Sequence, residues 1–427
     1  MSKNSSTIQK GWQSVRLADI STLITKGTTP TTIGGSFSAK GINFIKAESI
    51  TEDGRFINGK IDHIDEATNN LLKRSIIQNN DLLYSIAGVI GRVALVNKEI
   101  LPANTNQALS IIRPDTKKVD PKYLFYRLVT KSQRLHANSF VAQSVQSNIN
   151  LKQVGDFDIL LPPIETQRRI ASTLSSFDDK IENNNRIITT LETMAQAIFK
   201  EWFVKFRFPG HEKTKFVDSE MGKIPEGWEV KKVSDVAVLN RGLSYSSPEI
   251  NEEGKGLPMI NLANFQRGGG FNYTGIKYYT GEYKKTNIVK PGDIVIAMTD
   301  LTHNREVIGH PARVPTYDNQ KDILISLDVC SMTINDMYTE FLYYMMLSKS
   351  FSYLMASSAS GTNVSHLSKS SIDNYTFVLP DRDILLKFRR IIQPIFTQSY
   401  LLEDENKGLV KTRDSLLPKL MNGTVSI

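Results

Sequence analysis

The chain repeats itself at the scale of half its own length. Gly11-Trp12 opens a stretch reading GWQSVRLADI, and Gly227-Trp228 opens another reading GWEVKKVSDV, in a chain of 427 residues. Solenoid repeats run about 20–50 residues, so a unit this long is a whole domain, and the chain is read as two domains of one kind in tandem. The echo keeps its order. Gly41-Ile42-Asn43-Phe44-Ile45 answers Gly256-Leu257-Pro258-Met259-Ile260, and Asn80-Asp81-Leu82-Leu83-Tyr84-Ser85 answers Gly292-Asp293-Ile294-Val295-Ile296-Ala297. Ile90-Gly91 answers Ile308-Gly309, Tyr123-Leu124-Phe125-Tyr126 answers Phe341-Leu342-Tyr343-Tyr344, Leu161-Pro162 answers Leu379-Pro380, and Arg168-Arg169-Ile170 answers Arg389-Arg390-Ile391. Two similar but non-identical domains suit an object with two similar but non-identical parts.

Within each copy, short strand-like runs alternate with turns. Asp81-Leu82-Leu83-Tyr84-Ser85 and Asp293-Ile294-Val295-Ile296-Ala297 read as buried strands, punctuated by Gly34-Gly35, Gly268-Gly269-Gly270 and Pro291-Gly292. Each copy then holds a helix, the first capped by Asp120 with Pro121 in its first turn and the second spanning about 337–356. Strands with a few helices and no regular strand–helix alternation predict an α+β fold.

After each Leu-Pro the pattern changes. Ile170, Leu174, Phe177, Ile181, Asn184, Ile188, Leu191, Ala195, Ile198 and Trp202 step by four and three, a spacing of about 3.5 residues that marks a coiled-coil seam. In the second copy Phe388, Ile395, Leu402, Leu409 and Leu416 keep one stripe, and the companion stripe is read as Ile391, Gln398, Glu405 and Thr412, with Pro394 among the early turns and Gly423 as a stop. A helix of about 40 residues is roughly 60 Å long, too long to bury against one small domain. The expectation is that the two long helices pair with each other as an antiparallel coiled coil under a pseudo-two-fold, the alternative being that they bind other chains. Asn184 either fixes the register of that pairing or faces solvent.

The resulting plan is a first domain over 1–161, a long helix over 162–208, a linker over 209–226, a second domain over 227–380 and a second long helix with the C-terminus over 381–427. This plan resembles the specificity subunit of Type I restriction-modification systems. The residues that carry the resemblance are Leu161-Pro162-Pro163-Ile164-Glu165-Thr166-Gln167-Arg168-Arg169-Ile170, Gly227-Trp228 after Ile224-Pro225, the run from Asp81 to Arg92, and Leu416-Leu417-Pro418-Lys419-Leu420-Met421-Asn422-Gly423. The resemblance implies that each α+β domain is a target-recognition domain reading one half of a bipartite, asymmetric site in double-stranded DNA. It implies that the helices are spacers that set the gap and dock modification (methyltransferase) subunits acting on adenine N6 with S-adenosylmethionine. A restriction (motor-endonuclease) subunit would use ATP and magnesium, and no cofactor or metal is expected in this chain. The second copy departs from the pattern: Ala297-Met298-Thr299-Asp300-Leu301-Thr302 lacks the glycine after the strand, and Leu379-Pro380-Asp381-Arg382-Asp383 lacks the second proline and the glutamine.

Composition agrees with such a partner. The net charge is +8, from 52 basic against 44 acidic residues, which suits a polyanion. The basic residues are dispersed, so folded surfaces rather than a tail would do the binding. Cys330 stands alone, which excludes an internal disulfide or cysteine-built metal site and fits a reducing compartment. The N-terminal MSKNSSTIQK has no apolar core of a signal peptide, no window approaches about 18 consecutive apolar residues, and a cytoplasmic location is expected. No catalytic motif emerges. Gly88-Val89-Ile90-Gly91 and Gly254-Lys255-Gly256 do not make a phosphate loop, and the six histidines show no ligand pair.

Reading of DNA uses Lys and Arg on phosphates and, at base edges, Arg on guanine and Asn or Gln on adenine. The candidates are polar residues between strands: Lys26, Thr28, Thr29, Lys46, Arg92, Asn106, Gln107, Gln146 and Asn148 in the first domain. In the second they are Arg241, Tyr245, Asn261, Asn264, Arg267, His303, Asn304, Arg305, Asn363 and His366. The alternatives are a stand-alone sequence-specific DNA-binding regulator and a coiled-coil protein-interaction adaptor.

Overall fold

The computed structural model describes residues 11–142, 148–252, 254–315 and 322–427. The chain forms two compact units, one of residues 1–183 with 407–427 and the other of 184–406. Each unit therefore owns one domain and a stretch of both long helices.

In the first unit, Gln13–Arg16 pairs antiparallel with Asp158–Leu161, so the domain's beginning is tied to the strand that feeds the first long helix. Two four-stranded sheets follow. One has the order Ser21–Lys26, Leu109–Pro114, Leu82–Ser85, Val93–Leu95, and the other the order Phe37–Ser38, Asp62–Ile64, Ile42–Ile45, Ala103–Thr105. The run Leu82–Ser85 is buried at all four positions because it is covered on both faces, which is why it reads as a continuous apolar segment rather than an alternating one. Alternate residues serve different cores. Leu82 and Tyr84 join Tyr123, Leu124 and Phe157, while Leu83 joins Ile45, Ile50 and Ile111.

The second unit is built alike. Glu229–Lys232 pairs with Thr376–Leu379. A four-stranded sheet has the order Ala237–Arg241, Val329–Ile334, Ile294–Ala297, Pro311–Arg313, beside a five-stranded sheet. Ile294 and Ile296 face the aromatic core of Phe341, Tyr344 and Phe377, and Val295 and Ala297 face Ile260, Val307 and Ile325. The α+β class holds in both copies.

Asp120 caps the helix Pro121–Val129 by accepting from Tyr123 N at 3.0 Å, with the proline in the first turn. The single helix expected over 337–356 is instead two, Thr339–Met346 and Lys349–Ser358. The break is chemical: Ser348 takes an extended backbone (φ −68°, ψ 146°) and its hydroxyl accepts from Phe351 N, starting a new helix. The stretch 209–226 contains a hairpin, Phe216–Ser219 against Gly222–Pro225, with Phe206 touching both Phe216 and Trp228.

The long helices run Ile164–Phe199 and Arg382–Met421, the first continued by a π turn at Lys200–Val204. Pro394 is accommodated without a break, and Met421 is followed by Gly423 at φ 74°. They pair antiparallel. In the first unit Ile170 and Leu174 share a core with Leu420 and Met421, and Asp178 meets Arg413 at 2.5 Å. In the second, Asn184 donates to Glu405 Oε2 (2.8 Å) and Asn406 Oδ1 (2.9 Å), and Phe199, Trp202 and Phe203 pack on Phe388.

Of the expected seam residues, Ile170, Leu174, Asn184, Phe388 and Leu402 are buried. Phe177, Ile181, Ile188, Leu191, Ile198, Ile395, Leu409 and Leu416 are half-buried. Asn184 is on the seam, not in solvent. The companion stripe needs correction. Ile391 is exposed, and the inward positions are Leu385, Ile392, Ser399, Asn406, Arg413 and Leu420, one residue later than Ile391, Gln398, Glu405 and Thr412.

In each unit the two sheets meet at a glycine. A Cβ on Gly27 would stand 1.8 Å from the carbonyl oxygen of Thr105, and one on Gly242 would stand 2.0 Å from that of Ser326. Backbone cannot yield as a side chain can. Gly27→Ala or Gly242→Ala is expected to cost about 3 kcal/mol or more, read from denaturant unfolding. Gly408→Ala, in open space on the second long helix, should add about 0.5–1 kcal/mol. Wild-type stability in Gly27→Ala would contradict the close approach.

Candidate nucleic-acid interface

The glycine junctions place Lys26 and Arg241, both exposed, at the ends of matched strands. Around Lys26, Thr29 Oγ1 donates to Gln107 Oε1 at 2.7 Å, so the turn after the first strand is tied to the 106–108 turn. Thr28, Thr29 and Asn106 are half-buried and Gln107 is exposed, while Asn106 Oδ1 accepts from Ala108 N at 3.0 Å. Asn148 is exposed and bridges by backbone to Ala87. Lys46 is engaged by Asp62 and lies 5.2 Å from the Phe37 ring centroid. Gln146 lies outside the described residues.

In the second domain the loop after the central strand is joined to 360–366. Thr299 pairs with His366 and Asp300 with Ser365. His303, Asn304, Asn363 and His366 are exposed there. Arg267 is paired with Glu306 at 3.0 Å, and Lys277 donates to the hydroxyl of Tyr245 while lying over its ring.

Four of the candidates donate to neighbouring loops and brace them. Arg92 donates to the carbonyls of Ala47 (3.2 Å) and Ile50 (2.9 Å). Asn261 and Asn264 are buried, donating to the carbonyls of Gly275 (2.8 Å) and Asn272 (3.0 Å). Arg305 donates to Ser365 Oγ (3.0 Å) and to the carbonyl of Ala356 (2.6 Å). The amides of Asn261 and Asn264 and the guanidinium of Arg305 have their donors committed to the fold in this way, and Arg92 commits its Nη1.

Sequence reasoning missed the residue that organises this loop. Asp300 is buried, and its carboxylate accepts from the backbone N–H groups of Thr302 (2.6 Å), Val307 (2.6 Å) and Ile308 (2.9 Å). Burial pushes its pKa up, but the hydrogen bonds from Thr302, Val307 and Ile308 outweigh that and hold the carboxyl below its ordinary value. The signal was present: Asp300-Leu301-Thr302 after a strand is the spacing of an aspartate turn. Among the described residues no group of three His, Cys, Asp or Glu could hold a metal ion, and no helix is long and apolar enough to cross a membrane.

Comparison with known proteins adds to this geometry. The profile of a family described as "Type I restriction modification DNA specificity domain" matches residues 9–193 and again 225–405. The chain is 27% identical to the Type I restriction enzyme MjaIX specificity subunit of Methanocaldococcus jannaschii, over 98% of this chain and 95% of that one. It is 24% identical to the HindI specificity subunit of Haemophilus influenzae, over 97% and 99%. The crystal structure of a Type I restriction-modification S subunit from M. genitalium covers 98% of each chain with a TM-score of 0.54 at 18% identity, a likeness of fold.

Asp300→Ala should destabilise the protein by about 2–4 kcal/mol, because three buried donors lose a charged acceptor. The native pKa is depressed, so the carboxylate's contribution is complete above the ordinary value of 3.8 and is lost as the pH falls from there through the lowered one. The stability difference between wild type and Asp300→Asn should shrink over that window in acid titrations of unfolding; a gap that persists unchanged through it would contradict the assignment.

Proposed function

The chain belongs to the Type I restriction modification DNA specificity domain family, and on that premise we propose that it reads a bipartite, asymmetric site in duplex DNA, one half with each domain. As a specificity subunit it recognises DNA sequence in a restriction-modification system and is itself non-catalytic. Its further role is to bring methyltransferase subunits to adenine N6 and motor-endonuclease subunits to unmodified DNA. S-adenosylmethionine, ATP and magnesium then belong to those partners, and the complex works in the cytoplasm.

The observation that carries this reading is the repetition of one topology with different loops. Both domains centre on a strand buried on both faces, Leu82–Ser85 and Ile294–Ala297, yet the segment that follows is short in one and extended by residues 302–307 in the other. A common scaffold with unlike loops reads two unlike half-sites. Exposed Lys26 and Arg241 are suited to phosphates, which set position. Gln107, Asn148, His303, Asn304, Asn363 and His366 are suited to base edges, which set sequence. Braced loops hold those groups before DNA arrives, so less ordering entropy opposes binding.

Replacing residues 12–160 with the corresponding domain of another member should change one half of the modified motif and leave the other half unchanged. Sequencing of methylated sites in a host carrying all subunits provides the readout. Alteration of both halves would contradict independent readers, and binding insensitive to salt would contradict a duplex partner.

A further inference from the structure

Each domain holds out one aliphatic side chain at the same place. Val89 follows Ser85 by four residues and Leu301 follows Ala297 by four, and the two side chains are 52% and 67% exposed. Their surroundings match. Ala87 bridges to Asn148, and Thr299, at the same position in the second copy, bridges to His366. Both partners are exposed.

Neither loop is free to fold its aliphatic residue away. Ser85 Oγ donates to the carbonyl of Val89 at 2.5 Å and accepts from Arg92 N at 2.7 Å. Leu301 lies between Asp300, anchored by three backbone donors, and Thr302, whose hydroxyl accepts from Glu306 N at 2.8 Å. A single exposed aliphatic residue is ordinary on any surface. The same one in both copies, on a braced loop beside hydrogen-bonding side chains, calls for a ligand with an apolar mark among polar ones.

We propose that Val89 and Leu301 are specificity-determining residues, each packing on the C5-methyl group of a thymine in the major groove of one half-site. This rests on the duplex-reading function proposed above. The thymine methyl is the apolar feature of the major-groove edge, bordered by the acceptors and donors that Asn148 and His366 are equipped to meet. Insertion as a wedge between base pairs fits less well. Wedges are Phe, Leu, Ile, Met or Pro, and a role shared by both copies has to suit valine, which is not among them and is shorter than Phe, Leu, Ile or Met.

The test selects duplexes from a random library with the full-length chain and then replaces each selected thymine with deoxyuridine, which removes only the methyl. One thymine in each half-site should weaken binding about three- to tenfold when its methyl is lost. Leu301→Ala should abolish that sensitivity in one half-site and Val89→Ala in the other, with unchanged melting temperature because both residues are exposed. Absence of any sensitive thymine, or sensitivity surviving both variants, overturns the proposal, as does a kinked duplex at that step, which marks a wedge. A chain that selects no sequence at all refutes duplex reading itself, a result distinct from one that selects a sequence and ignores deoxyuridine.

Discussion

Neither domain closes its own hydrophobic core; both long helices have to do it. In the first unit Ile170, Leu174, Leu420 and Met421 fill the side of the core lined by Tyr84, Tyr123 and Phe157. In the second, Phe199, Trp202, Phe203, Phe388, Ile392 and Phe396 do the same beside Phe341 and Tyr344. A fully buried side chain of this size contributes about 1.5–3 kcal/mol, so four of them match the roughly 5–15 kcal/mol net stability of a whole domain. Removing the helices would therefore leave no stable reader. The dependence also explains why residues 407–427 belong to the unit of the first domain, hundreds of residues away in sequence, and why each Leu-Pro junction is followed at once by a helix start.

The seam between the helices is apolar toward the domains and polar between. Inward positions on the second helix go from Leu385 and Ile392 through Ser399, Asn406 and Arg413 to Leu420. Asn184 and Asn185 are matched to Asn406, and Asn184 also to Glu405. Arg413 meets Asp178, which in turn accepts from Tyr126 of the domain helix. Replacing such groups with leucine would strengthen the contact and weaken its selectivity, since a slipped apolar stripe still finds apolar neighbours whereas a slipped Asn184 is buried without its acceptors. The helices thus hold one alignment, and the Tyr126–Asp178–Arg413 chain extends that constraint to the domain they carry.

Much of this architecture was legible in the residues. The doubled GW start, the DLLYS and DIVIA runs and the 4–3 stripe from Ile170 each correspond to an element, because each is a pattern imposed by burial on one element at a time. What stayed hidden depends on two elements at once. Gly27 and Gly242 look like ordinary loop glycines until the partner carbonyls of Thr105 and Ser326 are in place. The companion stripe lies one residue later than its apolar pattern suggests because Ile391 is as apolar as Ile392, and only the core shared with Phe341 and Tyr344 chooses between them. Ser348 hid a helix break because serine is tolerated inside helices as well as at their starts.

The candidate interface separates along a similar line. Arg92, Asn261, Asn264 and Arg305 have the donor geometry that base edges demand, and that same geometry suits them to tie loops to backbone carbonyls. Residue type cannot distinguish the two uses; partners can. A reader with rigid loops needs both kinds of residue, since an exposed His303 or Asn304 discriminates between bases only if the loop beneath it keeps its shape against the pull of a wrong contact. Asp300 and Arg305 give the second domain that stiffness, and Ser85 with Arg92 gives it to the first. Because the braces bond mainly to backbone, with Ser365 Oγ the side-chain partner of Arg305, the exposed positions between them can vary in identity without loss of the loop's form, which is the physical condition under which one scaffold can be fitted to different sequences.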